Sequence, residues 1–184
     1  MINKIWIVGF AKCGSTSLRT YLRQKYTRCE VTSFPLGASL YSDYWESKVL
    51  PKALSPDILI VIIKRDPYER IWTAFWWGKK FGNKNTFPEF LRQRKTSDVE
   101  ITAGLNDPII ACDYDRFIRK AEPCNPIVVK FEDMIKLKTF PHEAKTDDTL
   151  KKLGGGDITK PLLDNENRSL IHEEFIKEGI NDKY

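Results

Sequence analysis

Ile58, Leu59, Ile60, Val61, Ile62 and Ile63 form an unbroken aliphatic run that ends on Lys64-Arg65-Asp66-Pro67-Tyr68-Glu69. A segment apolar at every position has no face to offer to water. That is the pattern of a strand covered on both sides, the setting of a central strand in a parallel sheet. The residues that follow start a helix. Asp66 is placed as N-cap, Pro67 at the first helical position and Glu69 at the third, a capping-box arrangement that predicts a helix from Pro67 to about Trp77.

The same strand-to-helix order occurs near the N-terminus. Lys4 to Gly9 reads as a buried strand, and Ser15 to Lys25 as a helix with Leu18 and Leu22 four residues apart. Glu30 to Phe34 reads as extended, Ser39 to Leu50 and Phe87 to Arg94 as helices, and Gly78 to Thr86 as a basic loop. Asp107-Pro108 caps a helix ending near Glu122-Pro123. Ile127 to Phe131 is a further strand, and Asp164 to Glu178 a final helix with Leu170, Ile171 and Phe175 on its apolar side. Strands alternating with helices predict an α/β fold with a mainly parallel sheet and helices on both faces. The 184 residues suit a single domain, 1–184.

Composition narrows the functional classes. Hydrophobic residues make up 41% and charged residues 30%, a folded, soluble balance. No apolar stretch has the length of a membrane span, and the first residues lack a signal-peptide layout. Cys13, Cys29, Cys112 and Cys124 are widely spaced with no CxxC pair, so neither a zinc site nor a disulfide framework is expected. A reducing, cytoplasmic setting follows. The net charge of +5 favours anionic ligands. Arg92-Gln93-Arg94-Lys95 is too short a basic stripe for a nucleic-acid role.

The chemistry concentrates in two loops. In Gly9-Phe10-Ala11-Lys12-Cys13-Gly14-Ser15-Thr16-Ser17, the two glycines have the spacing of a phosphate-binding loop. Ser15, however, stands where a nucleoside-triphosphate site has its lysine, and Lys12 lies inside the loop. Backbone N–H groups at the start of the following helix, the hydroxyls of Ser15, Thr16 and Ser17, and the Lys12 ammonium together suit an anion. The competing reading is a small, well-capped strand–helix turn. The second loop holds Arg65 at the end of the apolar strand, with Arg70 and Thr73 three residues apart on the following helix. In an open α/β sheet ligands bind outside the carboxyl ends of the strands, so both loops are expected at one crevice. Arg70 could instead pair with Glu69 or Asp66 on the surface. Two anion sites at one sheet edge suggest a ligand with two separated phosphates.

These residues carry a family resemblance. "GFAKCGSTSL" resembles the 5′-phosphosulfate loop of sulfotransferases that use 3′-phosphoadenosine 5′-phosphosulfate (PAPS). "IIKRDPYERIWTAFWW" resembles their 3′-phosphate motif, whose Arg and Ser fall on Arg65 and Thr73. "VVKFEDM" resembles the later strand and its E-D-L ending, and "LLDNENRSLIHEEF" the C-terminal helix. Within the superfamily the chain looks most like the heparan sulfate sulfotransferases, with Glu30-Val31-Thr32-Ser33-Phe34 standing near their E-V-H-F-F stretch. Here the first helix is shorter, Thr32 and Ser33 replace His and Phe, and the acceptor-binding insertions are largely missing.

The resemblance implies a P-loop-like three-layer α/β/α fold and metal-independent transfer of a sulfuryl group from PAPS to an acceptor hydroxyl, carbohydrate first among the candidates. The product nucleotide is adenosine 3′,5′-bisphosphate. The implied donor-binding set is Gly9, Ala11, Lys12, Cys13, Gly14, Ser15, Thr16, Ser17, Arg65, Arg70 and Thr73, with Gly155, Gly156 and Lys160 in a late loop on the 3′ side. Lys12 stabilises the leaving oxygen. The histidines, His142 and His172, come late in the chain, so the base is expected to be Glu30, with Asp43 and Glu46 in reserve. The alternative for Glu30 is an exposed strand-end carboxylate. Two other functions are weighed. One is an NTP-dependent kinase or ATPase with a variant Walker A loop. The other is a nucleotide-binding relative without catalysis. The aromatics Trp72, Phe75, Trp76 and Trp77 pack partly in the core and are expected in part to line an acceptor cleft beside Lys79, Lys80 and Lys84.

Overall fold

The aliphatic run forms a strand, Ile58–Lys64, in which Ile60, Ile62 and Ile63 are wholly buried. In this computed structural model, which describes residues 1–9, 13–35, 49–80, 82–96, 114–137 and 160–177, that strand is β3. The others are β1 (Lys4–Gly9), β2 (Glu30–Pro35) and β4 (Ile127–Lys130). The described helices are α1 (Ser15–Lys25), α2 (Leu50–Ala53), α3 (Pro67–Lys80), α4 (Phe87–Thr96), α5 (Tyr114–Ala121), α6 (Phe131–Met134) and α7 (Asn165–Lys177). The expected helix over Ser39 to Leu50 and the start of the one at Asp107-Pro108 lie largely outside the described residues.

Two compact units divide the chain, one comprising Met1–Arg65 with Asp113–Ala144 and the other Asp66–Cys112 with Lys145–Tyr184. The first contains the sheet. Its four strands run in the order β2-β1-β3-β4, and every pairing is parallel. The α/β class and the parallel sheet are therefore as the sequence predicts. The order places the switch of chain direction between β1 and β3. From β1 the chain returns on one side as β2, and β3 and β4 lie on the other. In a doubly wound sheet this is where the carboxyl ends of the strands open a crevice. α1 packs on β1 and β2.

The second unit is held by an aromatic core. Tyr68, Ile71, Trp72 and Phe75 of α3, Phe87, Phe90 and Leu91 of α4, and Ile171 and Phe175 of α7 are all buried together. Trp72 meets Phe87 edge-to-face with centroids 4.9 Å apart, and Phe75 meets Phe87 at 5.0 Å. The Trp72 indole N–H donates to the Pro161 carbonyl at 2.9 Å, so the one polar atom of this buried side chain is satisfied.

Two element ends differ from expectation, those of α3 and β4. α3 does not stop near Trp77 but continues to Lys80. Gly78 is buried within the helix, and the stop belongs to Gly82, which has a φ of +86°. Gly82 N–H bonds the Lys79 carbonyl and Asn83 N–H the Gly78 carbonyl, both at 3.1 Å, the paired bonds of a Schellman ending. At the other end Asp66 caps as expected, its Oδ1 accepting from Tyr68 N–H at 2.8 Å and Glu69 N–H at 3.2 Å. Glu69 does not close the box, because its carboxylate takes the Lys160 ammonium at 2.8 Å. β4 ends one residue early, at Lys130, and Phe131 opens the helical turn α6.

Candidate functional site

The loop after β1 is described from Cys13 onward; Ala11 and Lys12 lie outside the described residues. Cys13 is fully buried. Gly14 is the N-cap of α1 with φ 85° and ψ 19°, left-handed geometry that glycine adopts without strain. Among the described residues no side chain caps this helix, and no acidic residue stands in its first turn. Leu18 N–H is bonded to the Gly14 carbonyl at 3.0 Å. The N–H groups of Ser15, Thr16 and Ser17 therefore have no acceptor within the helix and stand at its positive end. Ser15 and Thr16 are half-buried and Ser17 is buried. An uncapped helix N-terminus bearing hydroxyls is chemically suited to an anionic oxygen.

Glycine at position 14 has a second cause that the sequence did not reveal. A Cβ built there would lie 2.6 Å from Phe131 Cε2 and 2.7 Å from Cδ2. The space left by the absent side chain is filled by the ring of Phe131, which has arrived from the end of β4. Phe131 also meets Arg65. The pairing of Lys64 with Lys130 sets the next residues side by side, and the Arg65 guanidinium carbon lies 4.5 Å above the centre of the Phe131 ring. The structure thus brings Gly9, Cys13, Gly14, Ser15, Thr16, Ser17 and Arg65 to the carboxyl edge of the sheet, on the adjacent strands β1 and β3. Lys64 is engaged with Asp115 at 3.7 Å.

Glu30 is not brought there. It is the first residue of β2 and pairs with Lys4, whereas Gly9 pairs with Pro35 at the other end of the same ladder. Along a strand rising about 3.3 Å per residue, that separation is about 16 Å. The Glu30 carboxylate is exposed and accepts from Thr32 Oγ1 at 3.5 Å. The register makes Glu30, the expected base, an amino-edge carboxylate of the parallel ladder, at the end opposite the loop after β1. The reserves Asp43 and Glu46 lie outside the described residues, as do Gly155 and Gly156.

The remaining predicted residues belong to the second unit. Thr73 is half-buried on α3. Arg70, for which a surface pairing was one expectation, has no exposed surface at all. Lys160 is ion-paired with Glu69. Of the aromatic group, Trp72 and Phe75 are core residues, while Trp76 and Trp77 are half-buried. Trp76 Nε1 is buried with no hydrogen-bond partner among the described residues.

Sequence reasoning missed one cluster in this unit. Tyr68, Asn165, Arg168, Ser169 and His172 line a cavity of about 360 Å³. Tyr68 Oη and His172 Nδ1 are 2.9 Å apart, and the Arg168 guanidinium lies 4.1 Å over the Tyr68 ring while reaching Asp66 Oδ2 at 3.5 Å. The i, i+3, i+4 spacing of Asn165, Arg168 and Ser169 was a visible sign of a shared helix face. Its meeting with Tyr68 was not.

Among the described residues no cluster of His, Cys, Asp and Glu is arranged to hold a metal ion, and no helix is long and apolar enough to cross a membrane. Cys13, Cys29 and Cys124 form no disulfide.

No protein-family model and no curated protein matches this sequence. Among solved structures, the fold is similar to the crystal structure of a sulfotransferase from Alicyclobacillus acidocaldarius. The TM-score is 0.57 at 14% identity, with 97% of this chain and 92% of that one covered. The architecture of the chain is thus that of a sulfotransferase-like α/β fold.

Proposed function

We propose that this chain is a PAPS-dependent sulfotransferase acting as one domain over residues 1–184, transferring a sulfuryl group to an acceptor hydroxyl, with carbohydrate the first acceptor class to test. One observation carries the reading. A helix N-terminus with no capping side chain among the described residues follows β1, and Arg65 follows the neighbouring β3, so two groups chemically suited to anions flank the switch point of a parallel sheet. Likeness to a sulfotransferase structure supports it at the level of fold.

The donor set fits a nucleotide with phosphates at both ends of its ribose. The N–H groups of Ser15, Thr16 and Ser17 and their hydroxyls hold the 5′ end. Arg65 and Thr73 hold the 3′-phosphate, with Gly155 and Lys160 assisting; Arg70, having no exposed surface, is left out of that set. Bound there, the donor supplies an activated sulfuryl group on a good leaving phosphate, so no metal is invoked. Lys12 holds the negative charge that grows on the bridging oxygen as the bond to sulfur breaks. The acceptor hydroxyl lies in line on the far side and gives up its proton to a carboxylate. With Glu30 at the opposite edge, that role goes to Asp43 or Glu46. The half-buried faces of Trp76 and Trp77, with Lys79, Lys80 and Lys84 beyond, are the proposed acceptor surface. A cytoplasmic setting, where thiols stay reduced, is part of the same proposal.

Thermal melts test the reading. Adenosine 3′,5′-bisphosphate at one hundred times its dissociation constant should stabilise the protein by about 2.7 kcal/mol, with no need for Mg²⁺. A shift with ATP and Mg²⁺ alone would assign the site to an NTP-dependent enzyme instead. Lys12→Ala should retain bisphosphate binding and lose transfer from PAPS.

A further inference from the structure

The Phe131 ring makes two contacts that belong to different parts of the sheet edge. Its Cδ2–Cε2 side fills the space beside Gly14, close enough that a Cβ there would overlap it at 2.6 Å. The Arg65 guanidinium lies over its centre at 4.5 Å. Both contacts follow from topology. β3 and β4 are in register to Lys64 and Lys130, so Phe131 emerges beside Arg65, and β1 lies on the far side of β3. A ring from the fourth strand therefore reaches the loop of the first beside the arginine of the third.

We propose that Phe131 is the positioning residue for Arg65: the ring, held at its edge by Gly14, gives the guanidinium a flat support that fixes it relative to the helix N-terminus of α1. An arginine side chain has many rotamers, and narrowing them before the ligand arrives lowers the entropy cost of binding. The planar guanidinium suits this support, whereas the compact ammonium of a lysine would not stack in the same way. The proposal rests on the donor reading above and deepens it. The fixed distance between Arg65 and the loop selects a nucleotide that carries a 3′-phosphate in addition to its 5′ group. Phe131 touches no reacting atom, so its effect is on recognition rather than on the transfer step.

The test measures dissociation constants of the full chain for adenosine 3′,5′-bisphosphate and for adenosine 5′-monophosphate, which lacks the 3′-phosphate. Phe131→Leu keeps an apolar group beside Gly14 and removes the flat face. It should weaken bisphosphate binding about tenfold and monophosphate binding by less than about threefold. Phe131→Tyr, which keeps the face, should restore bisphosphate binding to within about threefold of the parent. In an Arg65→Ala background, Phe131→Leu should cost nothing further, because the ring acts through the arginine. Circular dichroism melts of each variant report whether the fold is retained. Equal losses for both nucleotides, or the same tenfold loss with Arg65 already removed, would show a merely structural ring and overturn the proposal. If the parent chain binds ATP and Mg²⁺ but not the bisphosphate, the donor reading falls, and the positioning role with it. If the parent binds the bisphosphate and Phe131→Leu binds it equally well, only the positioning role falls.

Discussion

At the scale of single residues, Gly14 shows two constraints converging on one position. Its φ of 85° disfavours any other L-residue, and Phe131 occupies the place of a Cβ. Gly14→Ala therefore meets backbone strain of about 1–3 kcal/mol together with a steric overlap that an aromatic ring, already wedged against Arg65, cannot relieve by a small shift. The variant should lose at least that stability by urea titration, and its bisphosphate affinity should fall because the N–H groups of α1 are displaced. A loss of stability below about 0.5 kcal/mol would mean the loop is softer than its geometry implies. Glu30 makes the opposite case. It is exposed and sits at the amino end of β2. Glu30→Gln should leave the transfer rate within about twofold of the parent, whereas neutralising the acting base should cost about a hundredfold or more. Parallel assays of Asp43→Asn and Glu46→Gln identify which carboxylate that is.

At the scale of elements, helix ends carry most of the local information. At the start of α4 the Glu89 carboxylate takes both Thr86 donors: Oε2 accepts from Thr86 N–H at 2.7 Å and from Thr86 Oγ1 at 2.9 Å. The backbone bond from Thr86, then the hydroxyl bond, holds the Glu89 carboxyl below its ordinary value. A carboxylate with a lowered folded pKa stabilises the folded state above its unfolded value, and the contribution is lost as pH falls through the folded one. Urea midpoints should therefore decline on acidification from about pH 6 to about pH 3 more steeply in the parent than in Glu89→Gln. Parallel slopes would remove the carboxylate from the cap. The start of α3 was legible in the sequence because Asp66 and Pro67 are local signals. Its end was misread at Gly78, because glycine marks either a stop or a close packing contact. Only burial of Gly78 and the left-handed turn at Gly82 separate the two.

At the scale of the whole molecule, each unit is completed by residues distant in sequence. The aromatic core joins α3 and α4 to α7, which follows them by some seventy residues, and Phe175 there is 1% exposed and meets Tyr68 at 5.0 Å. Phe175→Ala should cost about 3–5 kcal/mol of stability, read as a lowered urea midpoint, because a cavity opens where three helices meet. A cost under about 1 kcal/mol would show that α7 is peripheral. The sheet unit likewise depends on β4 and α6 returning to an edge begun by the first sixty-five residues.

The sequence by itself determined the strands, most of the described helices, the parallel sheet and the positions of the glycine-bearing and arginine-bearing loops after β1 and β3. Each of those is written in local chemistry: aliphatic runs, an Asp-Pro cap, a glycine pair, an arginine at a strand end. Only the tertiary structure decided that Glu30 stands at the amino edge of the sheet, that Arg70 is buried, and that Phe131 lies between Gly14 and Arg65. Those facts depend on strand register and strand order. Both are set by which surfaces pack best across the whole sheet, and no short stretch of residues encodes that choice.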